Sequence, residues 1–487
     1  MSSKNKILFI IAFSLLLFSC KEKTIDVEYG EAKILSFGFY VADNVGVIAK
    51  DYVVTDVQSK SITINLPGTV NKTKLKARFT TSANDTVSVE GIIQTSGVTA
   101  NDFSFPVDYI LFEGITHSRF TVTIGKASEY IWTKVPAFVA DSAISAVMRV
   151  NPTNGVPYIL FKESRSESAN QKAGMVRFEN GAWVNMGDAS DGQIGSYFEL
   201  AFNATGKPYI SYADYTAPVA QMNTVKTYNG TAWDLVGNKG VTSNKVSYSA
   251  LAFSPAGNLM LFSMFDATTG PLARRELCIS TFNGSSWTTN QTMPGRSSDQ
   301  VAYYPTTKLV NGVLYLAIQN AISPNSLSVY KYTNGSWTTL LDKWKDPAST
   351  AMSLRDFDMD VDLLGNIYVA FVDNSSDGAT LKQRIIKYSA STGTVSSVGN
   401  PIIGATGGLF NFDLAISPTG IPYFLYKNLN SYPVVSYFDN DSQQWSEPYL
   451  FETESIGDLY LDFTPNGDAY ASYTKNRKLI MYKYAQP

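Results

Sequence analysis

The sequence predicts an all-β chain, and three observations predict it. Short runs of alternating polar and apolar residues fill the chain, as strands with one buried face require. A unit of about fifty residues, each with four strand-like runs, recurs seven times over the last three quarters. Asn-Gly dipeptides stand between neighbouring runs in several of those units, which is hairpin chemistry. Together these describe an Ig-like β-sandwich followed by a seven-bladed β-propeller of four-stranded blades.

Residues 1–20 read MSSKNKILFIIAFSLLLFSC: two lysines, apolar runs from Ile7 to Phe13 and from Leu15 to Phe18, a small Ser19, then Cys20. That is the n-region and h-region of a secretory signal, and the apolar run is short for a bilayer span. Ser19-Cys20 resembles the lipobox of bacterial lipoproteins, with Phe18 departing from the small residue usual there. The resemblance implies a signal peptide over 1–19, lipidation of Cys20, and a lipid-anchored outer-membrane address, periplasmic or surface-exposed. The alternative is a plain secreted protein whose cysteine is incidental. Residues 20–32 are charged and aperiodic and read as a tether. Cys278 is the other thiol, so no disulfide framework is expected, and it reads as a small buried residue on a strand.

From residue 33 to 125 the runs ILSFGFYV, SITINLP, LKARFTT, VSVEGII, FPVDYILF and RFTVTIG are separated by turn residues such as Pro67-Gly68 and Asn101-Asp102. About seven strands in this length is the pattern of an Ig-like sandwich. The same runs resemble an uncharacterised N-terminal Ig-like domain of Bacteroidetes surface lipoproteins. Joined to a kelch-like propeller, that resemblance implies a cell-envelope address and names no activity. His117, the only histidine, falls just before the last strand and reads as a solvated loop residue.

Residues 130–487 carry the repeat. Its second-strand copies are FNATGKPYISYAD (Gly206), FSPAGNLMLFSMFD (Gly257), VDLLGNIYVAFVD (Gly365), ISPTGIPYFLYKN (Gly420) and FTPNGDAYASYTKN (Gly467), with looser copies at Gly155 and Gly312. A period near fifty with four strands is that of a propeller blade. FENGAW, YNGTAW, FNGSSW and TNGSW place Asn-Gly before Trp183, Trp233, Trp287 and Trp337, so each Trp strand pairs with the strand before it. The sequence ends on a third strand, LIMYKY, with no Trp strand after it, and EYIWTKV around Trp132 is the expected partner that closes the ring. The fifth unit, with STGTVSSV, and the sixth, with DNDSQQW, depart from the pattern at the rim.

The short turns of the units lie on one face and the long connections on the other, which makes the long-loop face the expected ligand face. Aligned on their glycines, the inner strands show a second pattern. The fifth reads Arg355-Asp356-Phe357-Asp358-Met359-Asp360-Val361-Asp362, with carboxylates on one side by strand alternation. Tyr197, Tyr248, Asn411 and Asp458 stand at positions equivalent to Asp356; Glu199, Ala250, Asp413 and Tyr460 stand at those equivalent to Asp358. One reading is a polar platform at the channel mouth for a cation, a sugar or a basic peptide. The other is that each Asp satisfies backbone N–H groups of the neighbouring blade near the axis. The D-x-D-x-D run lacks the glycine and the bidentate glutamate of a calcium loop, so no metal or cofactor is expected. Aromatic residues outside the repeat register, Tyr215, Tyr303, Trp344 and Tyr432, with Arg274, Lys345 and Arg355, make a candidate rim.

Composition narrows the function. The chain has 487 residues with 39 Lys+Arg against 42 Asp+Glu, a net charge of −3, and one His. Without basic runs there is no electrostatic footprint for nucleic acid. A single imidazole excludes zinc sites needing two and disfavours a Ser/His/Asp triad. The expected function is a lipid-anchored binding module for a glycan or protein ligand on the long-loop face, with no catalytic residue assigned. The alternative is a glycan-active hydrolase or lyase using channel-mouth carboxylates such as Asp358 and Asp413. A third reading is an accessory or adhesion subunit that contacts another surface protein.

Overall fold

The computed structural model describes residues 32–82, 86–114, 116–138, 143–163, 171–266, 268–294, 296, 305–320, 325–349, 352–373, 382–405 and 411–487, and leaves out the side chains of residues 355 and 356. Cys20 and the signal segment lie outside the described residues. Every regular element among those described is a strand.

The N-terminal strands form two sheets. One has the order Tyr52–Val54, Ile34–Phe39, Leu75–Thr81, Ala100–Asn101; the other has Ser61–Leu66, Thr116–Lys126, Val107–Glu113, Thr86–Val89, Ile92–Ile93. Ser61–Leu66 runs parallel to Thr116–Lys126, whereas the other pairs are antiparallel. Strict alternation decides which side chains turn inward. In SITINL, Ile62, Ile64 and Leu66 are buried and the residues between them are exposed. These join Phe37, Phe39, Leu75, Tyr109, Leu111 and Val122 in one core, with Phe37 and Tyr109 meeting edge-on across the sheets at 5.0 Å. Gly38 is required where two strands crowd: a Cβ there would come within 2.7 Å of the Tyr52 carbonyl oxygen. The structure has nine strands here against the expected seven or so. Tyr52–Val54, Ile92–Ile93 and Ala100–Asn101 are two or three residues long, too short for alternation to register. His117 is not a loop residue. It opens the last strand opposite Phe112, with the two rings 6.0 Å apart.

The rest of the described chain forms seven sheets, each with a main path of four antiparallel strands, the arrangement of propeller blades. Their inner strands are Ala143–Val150, Ile194–Phe202, Val246–Phe253, Thr306–Val310, Met352–Val361, Phe412–Ile416 and Leu459–Phe463. The seventh sheet borrows its outer strand from the far end of the sequence. Ile131–Lys134 pairs with Lys478–Ala485, placing Trp132 opposite Tyr484. The rims of the fifth and sixth sheets are split into short pieces, Val395–Ser397 with Ile402–Ile403 and Gln444–Trp445 with Tyr449–Leu450.

The four Asn-Gly turns are of two kinds. Asn180-Gly181 and Asn334-Gly335 both have positive φ and close two-residue hairpins. YNGTAW and FNGSSW carry one more residue before the tryptophan. Their strands therefore resume pairing only at Tyr228↔Trp233 and Phe282↔Trp287, and the Asn side chain accepts from backbone N–H groups inside the loop. The outer-strand tryptophans bind one sheet to the next. The indole N–H groups of Trp183, Trp233, Trp287 and Trp445 donate to the carbonyls of Pro136, Met186, Val236 and Val398, each about one repeat earlier in the chain.

The sandwich rests on the face of the propeller that carries the short turns. Lys50 Nζ donates to Gln486 Oε1 at 2.7 Å, and Gln486 Nε2 donates to the Ser128 carbonyl at 2.8 Å. A Cβ on Gly467 would come within 2.9 Å of Ala49, so that turn meets the sandwich at close range.

Candidate binding site in the propeller channel

The inner strand of each sheet leaves one edge unpaired, and its N–H groups face the preceding sheet around the ring. Such groups must find acceptors when buried. Carboxylates on the preceding inner strand supply them. Leu414 N–H donates to Asp358 Oδ2 at 2.8 Å and Ile416 N–H to Asp360 Oδ2 at 2.7 Å. Leu461 N–H donates to Asp413 Oδ2 at 2.5 Å. Ala146 N–H donates to Asp458 Oδ2 at 3.2 Å and Val150 N–H to Asp462 Oδ2 at 2.8 Å. The DMD run and its equivalents thus stitch the fifth sheet to the sixth, the sixth to the seventh and the seventh to the first. Such hydrogen bonds contribute roughly 0.5–1.5 kcal/mol each, and more where the acceptor keeps its charge.

The ladder registers place these residues in levels. Glu199, Ala250, Asp358, Asp413 and Tyr460 each stand three residues before the last pair of their inner hairpin. One step nearer the short turns come Arg149, Asp360 and Asp462, with alanines at the equivalent positions in the second, third and sixth sheets. Lys308, from the fourth inner strand, reaches into this level and donates to Asp360 Oδ1 at 2.8 Å, with Asp462 Oδ1 at 4.0 Å. The Arg149 guanidinium lies 5.7 Å from the centre of the Tyr460 ring.

These groups surround a cavity of about 680 Å3 that takes lining from all seven inner strands. It runs from the level of Glu199, Asp358, Asp413 and Tyr460 to the short turns at Pro152, Asn311, Leu363, Pro418 and Pro465, where Val41 of the sandwich also lines it. The cavity therefore lies toward the opposite end of the channel from the long loops that the sequence favoured. Burial dominates its electrostatics. Glu199 is pushed up to about 7 by burial and by Asp358, against the pull of Arg149. Asp413 is held well above the usual carboxylate range by burial and by Asp358, with Arg149 and the Leu461 N–H opposing. Asp462 is raised by burial despite Lys308. Burial works against the charges of Arg149 and Lys308, but the surrounding carboxylates outweigh it and hold both cations protonated. Lys308 is enclosed by protein on all sides yet keeps 36% of its side chain exposed, because that surface faces the cavity.

Of the residues expected at the site, Glu199, Asp358 and Asp413 come together in the cavity wall. Tyr197 and Tyr248 stack with ring centres 4.5 Å apart, one level nearer the long loops. Asp458 lies at that level too, half-buried and raised by burial, with its carboxylate on Ala146. Trp344 does not stand in a crossing loop. It ends the outer strand Ser336–Trp344, pairs with Leu327 and packs against the core shared with Leu354 and Phe357, because the ladder continues past the point where the sequence pattern fades. Tyr303 lies outside the described residues. Arg355 and Asp356 lie on the strand Met352–Val361, and their side chains are outside the description. Of the lesser rim candidates, Tyr215 is 44% exposed and Arg274 pairs with Asp266 at 3.3 Å. Arg149 and Lys308 were missed. Among the described residues no group of three or more His, Cys, Asp or Glu side chains is placed to hold a metal ion.

Residues 39–124 match the family model described as "SGBP, N-terminal". No curated protein matches the chain. Among solved structures, a lectin from Burkholderia pseudomallei is similar at 10% identity with a TM-score of 0.52, covering 71% of this chain and 99% of that one. An ulvan lyase, from a new family of polysaccharide lyase and bound to a saccharide, is similar at 11% identity with a TM-score of 0.50, covering 73% of this chain and 96% of that one. At such identities the likeness is one of fold.

Proposed function

We propose that this chain is a surface glycan-binding protein whose propeller holds saccharide without cleaving it. The match of residues 39–124 to the SGBP model supports the glycan ligand and the surface address. The observation that carries the non-catalytic reading is the state of the two carboxyls a glycosidase would need. Asp413 is held protonated beside Asp358, and each of the two accepts a backbone N–H of the next sheet. Acid and base in glycoside cleavage must both be free to face the bond, and two carboxyls engaged by the scaffold are poorly placed to do so. On this reading residues 33–125 are an Ig-like spacer, residues 130–487 a seven-bladed propeller, and Cys20 the lipidated residue that anchors both to the outer membrane.

Glu199 favours a second reading. A carboxyl that keeps its proton to near pH 7 inside a cavity suits a general acid, so a glycan hydrolase or lyase is the alternative. Calorimetric titration of the full chain with oligosaccharides, run beside a reducing-end and unsaturated-product assay on the same samples, separates the two. Binding without turnover is expected, together with membrane fractionation that Cys20→Ala abolishes. Turnover that disappears in Asp358→Asn or Glu199→Gln would establish the enzyme instead.

A further inference from the structure

The cavity has the size of a small-molecule site, within the usual range of about 300–1,000 Å3. Inner strands wall it on every side, so a polymer cannot lie across it as across an open groove. A ligand meets it along the channel axis, at whose turn end Val41, Pro152, Leu363, Pro418 and Pro465 line it. That geometry selects a chain end.

The wall groups say what kind of end. Asp358, Asp360, Asp413 and Asp462 are occupied by backbone N–H groups of the next sheet, and Lys308 is occupied by Asp360. Glu199 and Arg149 differ from them. Among the described residues Glu199 accepts no hydrogen bond, and Arg149 donates one, to the carbonyl of Met148, with no carboxylate within 4.0 Å. The cavity therefore presents one acceptor and several donors without protein partners, the complement of adjacent hydroxyls that each donate and accept. Carboxyls outnumber cations in its lining: Glu199, Asp358, Asp362, Asp413 and Asp462 against Arg149 and Lys308. Glu199 and Asp413 hold their protons there and the remaining carboxyls offset the two cations, so the wall offers a uronate or sulfate no excess of positive charge. Nearer the turn end, Phe202, Phe253 and Phe463 supply apolar surface for the C–H faces of a ring.

We propose that the propeller channel, reached from the turn end beside Val41, binds the terminal neutral sugar of a saccharide chain, with Glu199 accepting from and Arg149 donating to its hydroxyls. This rests on the glycan-binding reading above and adds a place and a ligand class to it. The test is calorimetric titration of the full chain with linear neutral hexasaccharides of glucose, xylose, mannose and galactose. Cyclic glucans, which have no end, and oligogalacturonate and sulfated oligosaccharides are titrated beside them. At least one linear neutral series is expected to bind, its cyclic counterpart and the acidic series to bind at least about tenfold more weakly. Glu199→Gln and Val41→Trp are each expected to weaken it by a similar factor. Val41→Trp narrows the turn end without touching the charged wall, so it decides the matter if Glu199→Gln alters folding. Glycan binding that is unchanged in Val41→Trp, or that prefers acidic or cyclic ligands, overturns the channel assignment and leaves the glycan-binding reading standing. Absence of binding to every series overturns both.

Discussion

Glu199 and Asp413 show how position within one wall separates two carboxyls of the same apparent kind. Both are raised by burial and by Asp358. Asp413 is spent on the Leu461 N–H, whereas Glu199 faces the cavity with no such partner. Because Glu199 binds its proton more tightly in the folded chain than at its ordinary value of 4.5, its contribution to stability is full below pH 4.5 and is withdrawn as pH rises through about 7. The loss from this residue is at most about 3 kcal/mol. Urea denaturation of wild type and Glu199→Gln at pH 4.5, 6 and 8 should show the variant gaining relative stability as pH rises. A difference that stays flat across that window would mean the carboxyl titrates normally. The same residues mark what was legible. Asp358 and Asp413 fell into one column on alignment by the turn glycines because the fifth and sixth units have equal turn lengths. Arg149 and Lys308 were hidden by turns of other lengths: the last inner pairs are Val361↔Ile367, but Val150↔Pro157 in the first unit and Val310↔Val313 in the fourth. Glycine alignment thereby shifted Arg149 into the column of Met359 and Lys308 into that of Val361, where a cation looks like a stray in an apolar position.

At the scale of elements, repetition was the readable signal and its purpose was not. A tryptophan on the outer strand of six of the seven sheets is visible in the sequence, but only the fold shows the indole N–H crossing to a carbonyl of the preceding sheet. Trp337 provides an internal contrast. It packs edge-on against Phe262 at 5.9 Å and donates to no carbonyl among the described residues. Trp287→Phe and Trp337→Phe each truncate a half-buried indole, yet the first also strands the Val236 carbonyl that accepts at 2.7 Å. Trp287→Phe should therefore cost about 1–2 kcal/mol more than Trp337→Phe. Chemical denaturation of the two variants measures this directly, and equal losses would show that the tryptophans act through packing alone. The long connections carry no repeat, and much of that face lies outside the described residues. Loop length was thus a poor guide to where a cavity forms.

At the scale of the molecule, ring closure was legible because the last unit is one strand short and the segment around Trp132 supplies a strand with no other home. The placing of the sandwich on the short-turn face was not legible, since Val41, Ala49 and Lys50 carry no pattern that distinguishes them from other loop residues. Closure and placement together have a mechanical consequence. Ile131–Lys134 is joined to the sandwich by a few residues but belongs physically to the seventh sheet, through four ladder pairs with Lys478–Ala485 and the packing of Trp132 on Phe451 at 5.0 Å and Tyr484 at 4.8 Å. A protease site introduced between Lys134 and Ala143 should cut the covalent link yet leave the sandwich bound to the ring. The closing strand, the Lys50 to Gln486 hydrogen bond and the Gly467 contact all remain on the two fragments' shared surface. Size-exclusion chromatography of the cleaved protein should show one peak containing both fragments. Adding Trp132→Ala, which removes half-buried aromatic surface at a cost of about 2–4 kcal/mol, should release the N-terminal fragment and leave a ring with an open strand edge prone to association. If the unsubstituted fragments separate on cleavage, the closing strand is held by its covalent tether and not by its pairing.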